Sequence, residues 1–385
     1  MIDLTTLRSI NHIIENDSTS STYKYALVKA VIETSQKDSQ FLKEESSYVS
    51  LPLGLLIEKW FFYYLPFILS KTYQQKSADR IFDKPTEESI ENFLIDYVKD
   101  YDSKDISVIR EIYFKIRNDW NSQKISNDKK FFKIVKNIAR IIVVNPMYYL
   151  GRTFFEKEYS IFIPEYTRFG HIKYNKSFSR KELISEFGYF KFKKDFYDIF
   201  RYLGSSLIGI STINNKWKEG TLQIKNNIDS TNKSFVDELL NIESIDIRDT
   251  SFIRRKLKNF EKVKCIWTGK NYTLDQIDID HIIPYSIWGN NDLWNLLPAN
   301  KKVNQNQKKA KIPTPKLLEK CKYNIFEYWD YYNDEDDIFK NQIEISLSGN
   351  IVSTSKDELF EKSYSQLITK CDYLINIRNF EEWKY

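Results

Sequence analysis

The stretch DIDHIIPYSIWGNNDLWNLLPANKKVNQNQKKAKIP, Asp278 to Pro313, holds one of only three histidines in 385 residues. His281 stands directly behind two aspartates that alternate with isoleucines, and ahead of a segment rich in asparagine and lysine. Hydrolysis of a phosphodiester needs a proton acceptor for water, a charge sink for the departing oxygen and a group that holds the phosphate in line. An imidazole, with an unperturbed pKa of about 6.5, suits the first role at neutral pH. Carboxylate and amide oxygens suit a hard cation, and lysines suit the phosphate.

These side chains must be brought together by local structure. Ile277 and Ile279 alternate with Asp278 and Asp280, so a strand here turns the isoleucines inward and both carboxylates to the opposite face. Upstream, KVKCIWT also reads as a strand, and Gly269 to Tyr272 can close a hairpin between the two. His281 then sits at the exit of the second strand. NLLPANKKVNQNQ reads as a helix with Asn295 near its start, and such a helix carries Asn304 back towards the strand. Asp278 is open to three readings: it orients His281, it helps a metal, or it is an exposed strand carboxylate. Trp288 and Trp294 read as core or loop anchors.

The pieces C-x-W-T-G at Cys265, D-H-I-I-P at Asp280, N-N-D-L-W-N-L-L-P-A at Asn290 and an N…K…K-x-P run ending at Pro313 resemble the HNH nucleases, whose fold is a ββα unit around one divalent metal. The resemblance covers about residues 262–313. It implies that His281 takes the water proton, that Asp280 binds the metal, and that Asn304 completes the metal site where many relatives have histidine. It further implies that Asn295 braces the loop and that Lys308 or Lys309 neutralises the scissile phosphate. Oxygen ligands favour Mg²⁺ or Mn²⁺ over zinc. Two departures stand out. Relatives often carry paired cysteines for a structural zinc, whereas Cys265 is the only cysteine in this unit, so its fold must stand on apolar packing. The third motif position has two candidates, Asn304 and Asn306, and the spacing from Asn304 to Lys308 is one residue longer than expected.

The charge pattern agrees with a polyanion partner. The chain carries a net charge of +5, but Thr250–Lys264 carries +5, Cys265–Trp294 carries −3 and Asn295–Tyr323 carries +7. A basic segment with an acidic centre points to a nucleic acid and a metal. Arg254, Arg255, Lys301, Lys302, Lys308, Lys309 and Lys311 are the expected phosphate contacts. Lysines also solvate helix faces, so charge alone does not separate the two uses.

Composition narrows the rest. Hydrophobic residues make up 42% and charged residues 29%, which suits a globular chain, and 26 Tyr, 26 Phe and 8 Trp against ten glycines favour aromatic-packed helices. Three scattered cysteines suit reduced thiols rather than a disulfide framework. The longest apolar stretch, Leu51 to Leu69, is broken by Glu58, Lys59 and Pro66 and falls short of a membrane span. The amino terminus lacks the features of a secretory signal, so a cytoplasmic protein without membrane contact is expected. No Walker A loop, GxGxxG, GxSxG or HExxH occurs.

The expected fold class is α+β, mostly helical, in three parts. Residues 1–245 form a helical accessory or target-recognition region, 246–315 an HNH nuclease domain, and 316–385 a carboxy-terminal helix/hairpin extension packed on it. Helical patterns cover Tyr23–Thr34, the apolar run around Trp60, Phe131–Val144 and Phe190–Leu203, and Asn226–Ser234 reads as a boundary loop. Ile343, Ile345 and Leu347 alternate before Ser-Gly-Asn, which predicts a hairpin. The expected function is a metal-dependent HNH endonuclease acting on DNA, in restriction or phage defence. RNA cleavage by the same site, or a catalytically silent nucleic-acid-binding module, are the alternatives. One HNH site cuts one strand, so double-strand cleavage implies a homodimer, and partner proteins of a defence system follow from the same resemblance.

Overall fold

The computed structural model describes residues 4–16, 21–76, 80–98, 104–125, 128–151, 160–166, 168–174, 178–204, 210–228, 231–244, 250–258, 260–335, 337–349 and 355–385. It is mostly helical with small sheets and divides into two compact units, Met1–Glu243 and Ser244–Tyr385. No helix among the described residues is long and apolar enough to cross a membrane.

The first unit contains helices α1 (Leu4–Asn16), α2 (Tyr23–Lys37), α3 (Leu53–Leu69), α4 (Lys84–Leu94), α5 (Ile106–Asn121), α6 (Lys129–Val144), α7 (Pro146–Tyr149), α8 (Arg180–Glu186), α9 (Lys194–Leu203), α10 (Ile210–Leu222) and α11 (Lys233–Leu240). Strands β1 (Lys43–Glu44), β2 (Tyr48–Pro52), β3 (Ile163–Glu165) and β4 (Tyr189–Lys193) form one antiparallel sheet in the order β1-β2-β4-β3. Helix α3 is apolar nearly all round and is buried nearly all round, as such a helix must be. It runs through Pro66 for one more turn, where few amide hydrogen bonds remain to lose.

Helix α9 starts later than the expected Phe190. Tyr189–Lys193 is instead the central strand β4, with Phe190 and Phe192 buried and stacked at 5.6 Å while Tyr189, Lys191 and Lys193 face the other way. The period of two in YFKFK wins because β2 and β3 both pair with it.

The second unit contains α12 (Ser251–Leu257), β5 (Val263–Lys264), β6 (Asn271–Tyr272), β7 (Ile277–His281), α13 (Tyr285–Trp288), β8 (Leu296–Asn300), β9 (Ile312–Pro313), α14 (Pro315–Glu335), α15 (Asp337–Ile343), α16 (Lys356–Asp372) and β10 (Glu382–Trp383). A single apolar core joins Ile279, Ile282, Trp294 and Leu297 to Trp329, Tyr332, Phe360 and Tyr364, so α14 to α16 cover the small strands. The chain ends on β10, which pairs in parallel with β9.

The hairpin expected at Ile343–Leu347 is absent there. Helix α15 continues into a π-helical turn, Glu344–Ser348, which ends at Gly349 in the left-handed region at φ +66°. Ile343 and Leu347 lie four residues apart and share one helical face, and a left-handed glycine is the usual stop for a helix. The returning half of that hairpin, residues 350–354, lies outside the described residues. The three cysteines are free and buried. Burial, helped by nearby Cys265, pushes the Cys321 thiol up to about 11, and burial pushes Cys371 up to about 12, so both stay protonated thiols at neutral pH.

Candidate active site

Strand β7 pairs antiparallel with β8, in register from Ile277 opposite Asn300 to His281 opposite Leu296. This corrects the expected pairing. The turn at Gly269, with φ +67°, does close a hairpin, but it joins β5 to β6. The segment after β5 turns to β8 instead, where Ile266 N–H donates to the carbonyl of Pro298 at 3.0 Å. The helix expected from Asn295 is corrected too. Leu296–Asn300 is extended and wholly buried, and the helical turn begins only after Asn300, whose side-chain oxygen accepts from Lys302 N at 3.1 Å and Val303 N at 3.4 Å. The order along the chain is therefore strand, long loop, strand, helical turn.

That turn, Val303–Lys308, is π-helical, closed by Lys309 N–H donating to the Asn304 carbonyl at 2.8 Å. A π-turn absorbs one residue more than an α-turn. The extra residue between Asn304 and Lys308 is accommodated in this way, and both side chains still face β7. Residues two apart on a strand and one turn apart on a helix are separated by similar distances, about 6–7 Å and about 5–6 Å. Asn304 accordingly meets Asp278, with Nδ2 donating to Oδ2 at 3.5 Å, and Lys308 meets Asp280. Asn306 is exposed.

Asp280 is buried, with a donor on each oxygen. Trp267 Nε1 donates to Oδ2 at 2.8 Å, and Lys308 Nζ donates to Oδ1 at 3.1 Å. The Lys308 side chain is fully buried, and its ammonium also donates to the His281 carbonyl at 2.7 Å. The imidazole of His281 is buried, with Nε2 2.8 Å from Asn291 Oδ1. An amide oxygen only accepts, so Nε2 carries the proton and, in the neutral ring, Nδ1 is the basic nitrogen. The Tyr285 ring lies 5.6 Å from the imidazole.

Asn295 ties the loop shut. Its Oδ1 accepts from Ile283 N at 2.8 Å, and its Nδ2 donates to the carbonyls of Ile283 at 3.0 Å and Asn290 at 3.2 Å. Asp278 is half-buried and gathers polar neighbours: Gln305 Nε2 donates to it at 2.7 Å, and Arg254 lies 3.6 Å from it. Of the expected phosphate contacts, Arg254, Arg255, Lys302 and Lys309 are exposed and Lys301 is half-buried. Lys311 is half-buried and pairs with Glu381.

The structure thus brings Asp280, His281 and Lys308 together, and sets Asn304 beside Asp278, two residues before Asp280 on the same strand. Sequence reasoning gave no role to Asn291 or Trp267. Both lie in the quoted motifs, but nothing in their spacing says which side chain they meet. Among the described residues no three of His, Cys, Asp or Glu gather as a ready metal cluster. The donor chemistry nonetheless fits a hard divalent cation, because Mg²⁺ takes one or two protein carboxylates and completes its shell with water and substrate phosphate.

Residues 265–314 match the family described as HNH endonuclease, so this site falls within an HNH domain. Residues 3–240, more than half of the chain, match the family described as a domain of unknown function, DUF8808, and the chain belongs to that family. No curated protein and no solved structure matches the chain.

Proposed function

We propose that the chain is a metal-dependent HNH endonuclease that hydrolyses phosphodiester bonds in DNA. The observation that carries this reading is the buried His281 beside Asp280, with its Nε2 2.8 Å from Asn291 Oδ1, inside the segment that matches the HNH family. Nδ1 of His281 takes the proton of the attacking water. Asn291 keeps the ring in that tautomer, as an orienting partner does for many catalytic imidazoles. Asp280 and Asn304 would hold Mg²⁺ or Mn²⁺, with Asp278 as a further oxygen donor beside Asn304. When bound, that cation would stabilise charge on the phosphate and on the departing oxygen. Asn295 keeps the loop that carries Asn291 in place.

The exposed Arg254, Arg255, Lys302 and Lys309, with Lys301 and Lys311, form the basic surface on which the nucleic-acid backbone is laid. A homodimer would supply the second cut of a duplex. The setting we propose, restriction or phage defence, rests on the resemblance of the long amino-terminal extension alone.

The test is cleavage of supercoiled plasmid, linear duplex, single strands and RNA with Mg²⁺ or Mn²⁺ and with chelator. Wild-type protein nicks DNA only with the metal, and His281→Ala lowers the rate by about 10²–10⁴-fold with an unchanged circular dichroism spectrum. Full cutting by His281→Ala removes the mechanism. Cutting confined to RNA moves the substrate without moving the site.

A further inference from the structure

Lys308 is placed unlike every other lysine of the basic segment. Lys302 and Lys309 are exposed and Lys301 and Lys311 half-buried, whereas Lys308 is fully buried with its ammonium on Asp280 Oδ1 and the His281 carbonyl, 5.8 Å from the centre of the Trp267 ring. A phosphate contact has to reach solvent, and this side chain points the other way. The π-turn ends on Lys308, and the next residue, Lys309, takes φ +52°.

We propose that Lys308 is a built-in counter-ion of the metal-binding carboxylate, holding Asp280 in place and competing with the divalent cation for it. This rests on the assignment of Asp280 as a metal ligand. A buried carboxylate needs its charge compensated, and here one ammonium already does so. A divalent cation at the same carboxylate brings two positive charges close to a third in a site of low polarity, and the repulsion weakens its binding. Trp267 holds the second oxygen, so the carboxylate keeps its orientation when the ammonium gives way. Lys308 is thus a positioning residue, and removing its charge acts in opposite directions on the metal-free and the metal-bound protein.

The experiment needs no substrate. Mn²⁺ binding is measured by isothermal titration calorimetry, and thermal denaturation is followed with and without Mn²⁺, on the full chain carrying wild-type sequence, Lys308→Gln, Lys308→Met or Asp280→Asn. Lys308→Gln keeps a hydrogen-bond donor and so remains folded if the methionine variant does not. The expected result is a lower melting temperature for the Lys308 variants without metal, together with Mn²⁺ affinity tighter than wild type by about tenfold or more and a larger upward shift on adding Mn²⁺. Equal or weaker Mn²⁺ affinity in Lys308→Gln overturns the role given to Lys308 while leaving Asp280 a ligand. Equal affinity in wild type and Asp280→Asn, or no Mn²⁺ binding at all, overturns the metal assignment and this proposal with it.

Discussion

In the amino-terminal unit a fully buried glutamine, Gln74, accepts from Thr22 Oγ1 at 2.7 Å and from Trp217 Nε1 at 2.8 Å, and so ties the segment after α3 to the start of α2 and to α10. Glu58 does similar work from α3, accepting from Trp120 Nε1 at 2.7 Å and pairing with Arg180 at 2.9 Å. In the carboxy-terminal unit some buried polar side chains are also scattered, as Glu344, Ser348, Ser363 and Lys370 are, but one group of them is gathered. Asp280, His281, Asn295 and Lys308 crowd at one end of β7, all inside a shell of aromatic and aliphatic groups. Gln74 and Glu58 thus each join three separate segments, Gln74 through neutral partners and Glu58 partly through an ion pair. Polar groups gathered at one strand end, with a buried charge pair among them, are costly for stability alone, which singles out this strand end as the candidate site.

The strongest way to break that contrast is to remove the residue that closes the loop. Asn295→Ala leaves the amide and carbonyl of Ile283 and the carbonyl of Asn290 without their side-chain partner. The carboxy-terminal unit should lose about 2–4 kcal/mol, seen as an earlier denaturation transition for that unit. Cleavage should fall as well, because Asn291 stands in the same loop. A loss under about 0.5 kcal/mol, the range of ordinary surface substitutions, would mean that the loop is held by its apolar residues and not by the amide.

The matching change in the other unit is Gln74→Leu. The buried Trp217 Nε1 loses its acceptor and Thr22 Oγ1 keeps only Tyr64 OH, at 3.2 Å, and the expected cost is about 1–3 kcal/mol. If the two units unfold independently, the loss should fall on the amino-terminal one. Should Gln74→Leu also move the carboxy-terminal transition, the units unfold together and the contrast has to be drawn within a single cooperative body.

The strand that carries the site was legible because Ile277 and Ile279 alternate with polar residues beside a histidine that has a chemical use. Its partner was not. Every residue of β8 is buried, so LLPAN shows no alternation, and an unbroken apolar run reads equally well as the start of a helix. Phe190–Lys193 failed in the opposite sense, since its short alternation merges with the amphipathic pattern of α9. At the site, residue types pointed to Asp280, His281 and Asn295, but Trp267 meets Asp280 and Asn291 meets His281 through loop geometry that one-dimensional spacing does not encode. The position of Asn304 hung on one surplus residue, and only the π-turn shows where that surplus goes.

The smallest expected effect sharpens the contrast at the level of the backbone. Among the described residues of the amino-terminal unit the non-glycine residues with positive φ are Lys71 and Gln123, each two residues past a helix end, where a left-handed residue is a common stop. Lys309 is different. Its φ of +52° and ψ of −126° place it at the second position of a tight turn, closed by Lys311 N–H donating to the Lys308 carbonyl at 3.0 Å. Those angles are the mirror of a type II turn and suit glycine alone. Lys309→Gly should therefore relieve strain and stabilise the carboxy-terminal unit by about 0.5–1.5 kcal/mol, read from the denaturation midpoint. Lys309 is exposed, and in the proposed function it belongs to the basic surface that meets the nucleic-acid backbone. The same variant should then lower the slope of DNA affinity against salt by about one phosphate contact. A more stable protein with an unchanged salt slope would show the lysine to be strained without binding DNA, and a less stable one would show that the turn draws its stability from the lysine side chain itself.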